Sequence, residues 1–158
     1  MNKANSVDVI LPSPVGNLGF KLTEGKLTAI QFLPQTKALN PALKKELKPI
    51  LAELKTYFAN PHHRFKLALQ PQGTIFQKAV WKALQAIPSG TTLTYQDLAI
   101  KLKTSARAVG NACRKNPLPI FIPCHRVVAK NGLGGFCGVK AGKLLRVKMA
   151  LLELEKSS

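Results

Sequence analysis

Acidic side chains are scarce in this sequence: seven Asp and Glu stand against 24 Lys and Arg, for a formal charge of +17. So few acids cannot neutralise the cations internally, and a field of this size attracts polyanions, with nucleic acid the leading partner. The basic excess is uneven, +6 over residues 1–74 and +11 over residues 75–158, which places the contact surface in the C-terminal half. Cysteine is also sparse. Three is an odd number, so a disulfide framework is not expected and a reducing, cytoplasmic setting is. No run of eighteen apolar residues occurs, which excludes a membrane-spanning helix, and the first residues, with Lys3 and Asp8 around a short apolar run, do not read as a signal peptide. Zinc has little support: Cys113, Cys124, His125 and Cys137 contain neither a CxxC nor an HxxxH pair. With 46% hydrophobic residues and Gly and Pro at 11 each, the chain has the composition of a packed globular protein.

Three strands are predicted first, Val7–Leu11, Asn17–Leu22 and Lys26–Leu33, separated by turns at Pro14-Val15-Gly16 and Glu24-Gly25. Asn40-Pro41 opens a helix whose apolar positions, Leu43, Leu47, Leu51, Leu54 and Phe58, recur at the helical period. Pro49 leaves open one kinked helix or two short ones. His62-His63 fall in a loop, Phe65–Leu69 reads as a further strand, and nothing in residues 1–70 presents chemistry.

Residues 71–74 form a candidate linker, and short helices follow. Thr74 caps a helix carrying Phe76, Val80, Leu84 and Ile87. Thr94-Tyr95-Gln96-Asp97 is a capping box, and Thr104 or Ser105 caps the next helix, which runs to about Arg114. Two short helices joined by a tight turn, the second bearing Arg107, Arg114 and Lys115, fit a helix-turn-helix. Asn116 to Pro123 holds three prolines and is not helical. It forms a rigid apolar segment that delivers Cys124-His125-Arg126 to a fixed place. A glycine-rich loop over residues 132–142 and a last helix from about Lys143 to Glu155, with Leu145, Met149 and Leu152 as its apolar stripe, complete the chain.

Cys124 carries the chemistry. A thiolate is a strong nucleophile, His125 beside it holds or relays a proton, Arg126 favours the thiolate, and Glu155 is placed to orient the imidazole. A cysteine protease or redox thiol leaves the basic helix-turn-helix unexplained, and a plain DNA-binding regulator reduces the Pro-Cys-His-Arg segment to packing. Together they point to a thiol that reacts with something on DNA.

At these residues the chain resembles the methylated-DNA–protein-cysteine methyltransferases, the O6-alkylguanine-DNA alkyltransferases. The matching blocks are Phe76-Gln77-x-x-Val80-Trp81, Ile87-Pro88-x-Gly90-x-Thr92-x-Thr94-Tyr95, Arg107-Ala108-Val109-Gly110, Asn116-Pro117, Ile122-Pro123-Cys124-His125-Arg126-Val127, Gly134-Gly135-Phe136 and Lys148-x-x-Leu151-Leu152-x-x-Glu155. Ser13-Pro14-Val15-Gly16-x-Leu18 and Leu27-x-x-Ile30-x-Phe32-Leu33 are similar to the family's N-terminal part.

The resemblance implies an α/β, ribonuclease-H-like domain over residues 1–70 and a mainly α, winged-helix-like DNA-binding and catalytic domain over residues 75–158. It further implies repair of double-stranded DNA by irreversible transfer of the alkyl group of O6-alkylguanine, and of O4-alkylthymine, to Cys124. One turnover consumes the protein, with no cofactor or metal, and the chain is expected to be a monomer off DNA. By the same resemblance His125 is the base, acting through a water, and Glu155 polarises it. Tyr95 and Lys148 assist departure of the guanine, Arg107 fills the space of the extruded nucleotide, and Asn116 braces the turn before the cysteine. Ala106, Arg114, Lys115 and Arg126, with Tyr95 and Asn116, join Arg107 at the DNA, while Gly134, Gly135, Phe136 and Cys137 line the pocket. Extrusion is needed because the duplex hides the reacting carbon. The chain departs from the family pattern in three places: a longer stretch over Val139–Val147, Phe136 where Tyr is common, and Cys137 where a small residue is usual.

Overall fold

The computed structural model describes residues 8–33, 41–67, 69–136 and 142–156. Strands β1 (Val9–Leu11), β2 (Asn17–Thr23) and β3 (Lys26–Leu33) form an antiparallel sheet in the order β1-β2-β3. Val9 lies opposite Phe20 and Phe20 opposite Ile30, so their side chains share the buried face. The β2–β3 turn places Glu24 and Gly25 both at positive φ, the backbone that matches strand twist in a two-residue hairpin. Helix α1 (Pro41–Ala59) is continuous through Pro49 and contributes Leu47, Ile50, Leu54 and Tyr57 to the core.

The described residues of 65–69 are not a strand, contrary to expectation. The amide of Lys66 donates to the Glu53 carboxylate instead of a neighbouring ladder, and the Phe65 ring packs 4.4 Å from Phe121. His63 bonds Glu53 at 3.0 Å, which accounts for one of the paired histidines.

The C-terminal part is built from α2 (Ile75–Gln85), β4 (Leu93–Thr94), α3 (Tyr95–Leu102), α4 (Ala106–Arg114), a single 3-10 turn (Cys124–Arg126), β5 (Val127–Val128) and α5 (Lys143–Lys156). Local chemistry sets the helix starts. Thr74 and Gln77 make a reciprocal capping box, Thr94 and Asp97 make another, and Ser105 accepts from the Ala108 amide. Lys103, in the left-handed region at φ 55°, ends α3 and lets α4 begin two residues after Thr104, so the helix-turn-helix is present. Trp81 of α2 is buried and donates through Nε1 to the Ala112 carbonyl at 2.8 Å, which locks α4 in place.

β4 and β5 pair in parallel, an element absent from the sequence reading, and this pairing draws the start of α3 to the end of the cysteine turn. One contiguous core runs from Val9 to Leu151, and the Ile30 amide donates to the Pro117 carbonyl at 2.9 Å. The strands therefore brace the segment that leads to Cys124.

Candidate active site

Cys124 opens the 3-10 turn and is buried at the end of the proline segment. The segment is held on itself: Asn116 Nδ2 donates to the Ile122 carbonyl at 2.8 Å, and Asn116 Oδ1 accepts from the Leu118 amide at 2.9 Å. Ile120 sits at φ 79°, a backbone region a β-branched residue rarely takes, and its fully buried side chain shows that packing holds it there. The nucleophile is thus delivered by a rigid, strained support. Burial pushes the Cys124 thiol up, and an Asn116 hydrogen bond and the Lys148 charge act the other way. Cys113 of α4 is a second buried thiol close by, pushed up to about 12 by burial and by the Cys124 charge.

His125 is fully buried. Its Nε2 lies 2.8 Å from Glu155 Oε2, while its Nδ1 has no hydrogen-bond partner in the protein. Burial lowers the proton affinity of His125, overcoming the opposing pull of Glu155. Burial would raise Glu155, but hydrogen bonds from His125, Arg126 and Tyr57 bring it down to about 2. The pair is therefore carboxylate and neutral imidazole: Nε2–H donates to Glu155, and the Nδ1 lone pair is available to take a proton.

Arg126 requires a correction. It was expected at the DNA and as support for a thiolate, but Nε and Nη2 donate to Glu155 at 3.0 and 2.9 Å and Nη1 to the Ile87 carbonyl at 2.6 Å. Burying a carboxylate without a cation is costly, so the guanidinium turns inward and is not presented to phosphate. The cation whose charge reaches Cys124 is Lys148.

The inward face of α5 is corrected at Met149, while Leu145 packs against the core and Leu152 is half-buried as expected. Lys148, Leu151 and Glu155 are buried, whereas Met149 is 53% exposed. Lys148 Nζ donates to the Val127 carbonyl at 2.7 Å and to the Gly135 carbonyl at 2.8 Å, tying β5 to the glycine loop. Tyr95 OH lies 3.5 Å from the same Gly135 oxygen, and burial raises its phenol to about 12, so it remains a proton donor at neutral pH.

Gly134 has φ 76°, and a Cβ there would lie 3.0 Å from Tyr95 Cε2 and 3.1 Å from the Ala129 amide nitrogen. Gly134→Ala is expected to cost about 1–2 kcal/mol of stability from the backbone alone and to displace the Tyr95 ring. Thermal melting and single-turnover rates on one preparation check both effects.

Arg107, Asn111 and Arg114 are exposed on one stripe of α4, with Lys115 exposed just beyond, while Val109, Ala112 and Cys113 face the core and Ala106 is half-buried. Gly135 is half-buried beside Lys148, and the Phe136 ring is buried 5.6 Å from that of Phe32. Cys137 and residues 139–141 of the longer stretch lie outside the described residues. Tyr57 was not anticipated: its OH donates to Glu155 Oε2 at 2.6 Å. The stripe read from the sequence ran to Phe58 and passed over it, whereas the buried face of α1 is Leu47, Ile50, Leu54 and Tyr57, where a buried phenol needs a partner.

A buried thiol beside a neutral imidazole is tied through Asn116 to the end of a helix that exposes Arg107 and Arg114, which puts a reactive side chain next to a cationic surface. Residues 75–157 match the family model described as the DNA binding domain of 6-O-methylguanine DNA methyltransferase. A methylated-DNA–protein-cysteine methyltransferase of Methanosarcina barkeri is 38% identical over 94% of this chain and 96% of its own. The constitutive one of Bacillus subtilis is 38% identical over 92% and 93%. Among solved structures, Mycobacterium tuberculosis OGT in complex with DNA superposes with a TM-score of 0.78 at 36% identity, over 94% of this chain and 92% of that one. An O6-methylguanine DNA methyltransferase of Methanococcus jannaschii gives 0.71 at 32% identity, over 95% and 94%. The chain belongs to the methylated-DNA–protein-cysteine methyltransferase family.

Proposed function

We propose that this chain repairs DNA by direct reversal, taking the alkyl group of O6-alkylguanine onto its own Cys124. The carrying observation is the buried Cys124 beside a neutral His125, fixed at Nε2 by Glu155 and unpartnered at Nδ1. In the reaction the thiol proton passes to Nδ1 of His125 through a water, and the sulfur attacks the carbon on O6. The carbon–oxygen bond breaks, its electron pair stays on the guanine, and the Tyr95 hydroxyl hands a proton to the departing base and regains one from solvent, which takes the proton held by His125 in exchange. Lys148 acts by holding Val127 and Gly135, which sets the wall against which the base sits. The thioether does not revert, so each chain reacts once.

A base stacked in a duplex cannot reach a buried thiol, so the target nucleotide must swing out. Arg107, exposed on α4, is the residue to fill the gap, with Arg114 and Lys115 on phosphates. The chain reads as a ribonuclease-H-like unit over residues 1–70, a linker at 71–74, and a winged-helix-like unit over 75–158. The antiparallel sheet with α1, and the helix-turn-helix with the β4–β5 pair, support that reading. Among the described residues no helix is long and apolar enough to cross a membrane.

The test compares two substrates. Arg107→Ala should slow transfer from O6-methylguanine in a duplex about five- to thirtyfold, as for a lost contact worth about 1–2 kcal/mol of the cost of flipping, and leave transfer from free O6-benzylguanine nearly unchanged. Equal losses on both substrates contradict the extrusion role, and no transfer by the unaltered protein contradicts the function.

A further inference from the structure

We propose that Tyr57 is a positioning residue for this reaction: through its hydroxyl, helix α1 holds the Glu155 carboxylate and limits how tightly that carboxylate retains the proton of His125. The inference rests on the function proposed above and extends the site into the N-terminal half, which showed no chemistry in the sequence.

Glu155 Oε2 accepts from three donors: Tyr57 OH at 2.6 Å, His125 Nε2 at 2.8 Å and Arg126 Nη2 at 2.9 Å. Oε1 accepts from Arg126 Nε at 3.0 Å. Tyr57 and His125 therefore share one oxygen among buried side chains, where each donor draws charge from the acceptor and weakens the claim of the other. With the phenol removed, more charge is left on Oε2 facing the imidazole, which makes His125 easier to protonate. Burial and the neighbouring carboxylate push the Tyr57 phenol well above its ordinary range, so it stays a donor throughout the working pH range.

The hydroxyl is aimed by ring packing. Tyr57 is fully buried, with Phe58 at 5.3 Å and Phe65 at 5.4 Å, and Phe65 in turn packs on Phe121 of the proline segment. One aromatic cluster thus fixes both the donor to Glu155 and the segment that carries Cys124. Among the described residues, the titratable and charged groups around His125 are Glu155 and Lys148 from α5, Arg126 and Cys124 from its own turn, and Tyr57 from α1 by way of Glu155. Only Tyr57 lies outside the C-terminal half.

The experiment uses the full chain and its three histidines, His62, His63 and His125. Imidazole nitrogens are followed by NMR in the unaltered protein and in Tyr57→Phe, which keeps the ring and removes only the donor. In Tyr57→Phe the His125 midpoint is expected to rise by about half to one pH unit, a fraction of one hydrogen bond to a charged group because the effect reaches His125 through the shared oxygen. At pH 7 the Nε2–H proton should move downfield, and the acid limb of alkyl transfer should move with the midpoint. Site-specific 3-fluorotyrosine at position 57, a stronger donor, should shift the His125 proton the opposite way. A His125 proton unmoved at pH 7 in both variants overturns the proposal, whatever happens to the melting temperature. Shifts of His125 in a protein that transfers no alkyl group uphold the coupling and retire the repair reading alone.

Discussion

Cys124→Ala should take up no alkyl group from a lesion duplex while binding that duplex within about threefold of the unaltered protein, because phosphate contacts carry most of the affinity. The substitution deletes one buried sulfur at the start of the 3-10 turn and leaves α4 and its exposed Arg107 and Arg114 intact. Its folding cost is small against its chemical effect, since the deleted sulfur is the proposed acceptor. Cys113 does not substitute for it: that thiol is buried in α4 and held up to about 12, almost wholly protonated at neutral pH. Single-turnover transfer and DNA binding measured on one preparation check both halves. Residual transfer at an appreciable rate would assign the acceptor role elsewhere.

Glu155→Ala should be the most destabilising single change in the site. It strips Tyr57, His125 and Arg126 of a shared acceptor and leaves a buried guanidinium without its counter-charge, a loss of about 3–5 kcal/mol. Alkyl transfer should fall about a hundredfold, the scale of an imidazole base that has lost its orientation.

The same carboxylate makes the unaltered protein acid-sensitive in a defined window. Glu155 is held down to about 2 from an ordinary 4.5. A depressed acid stabilises the fold above its unfolded value, and that contribution is lost as pH falls through the folded one. About 3 kcal/mol should therefore disappear between pH 4.5 and 2, and Glu155→Gln should flatten that limb. Chemical denaturation across this range reads the loss, and an unflattened limb would place it in other carboxylates.

What could be read from the sequence was local. The caps Thr74 and Thr94, and Thr104 or Ser105 of which the structure uses Ser105, act within three residues, so the helix starts, and with them the helix-turn-helix, were legible. The proline segment was legible because its constraint is covalent. What failed depended on distant partners. The α5 stripe was assigned to Leu145, Met149 and Leu152, since apolar periodicity assumes an apolar inward face. This helix instead exposes Met149 and turns Lys148 and Glu155 inward, where carbonyls and a buried ion pair receive them. Arg126 was placed at the DNA because nothing in the sequence ties it to Glu155, 29 residues later. Tyr57 was passed over for the same reason, since its carboxylate lies 98 positions further along the chain.

The most direct measurement is the mass of the intact protein after mixing with excess duplex DNA carrying a single O6-methylguanine. The account predicts a gain of one methyl group per chain, mapped to the peptide containing Cys124, with no further gain however much substrate remains. An unchanged mass in a protein that still binds the lesion duplex tightly would contradict it.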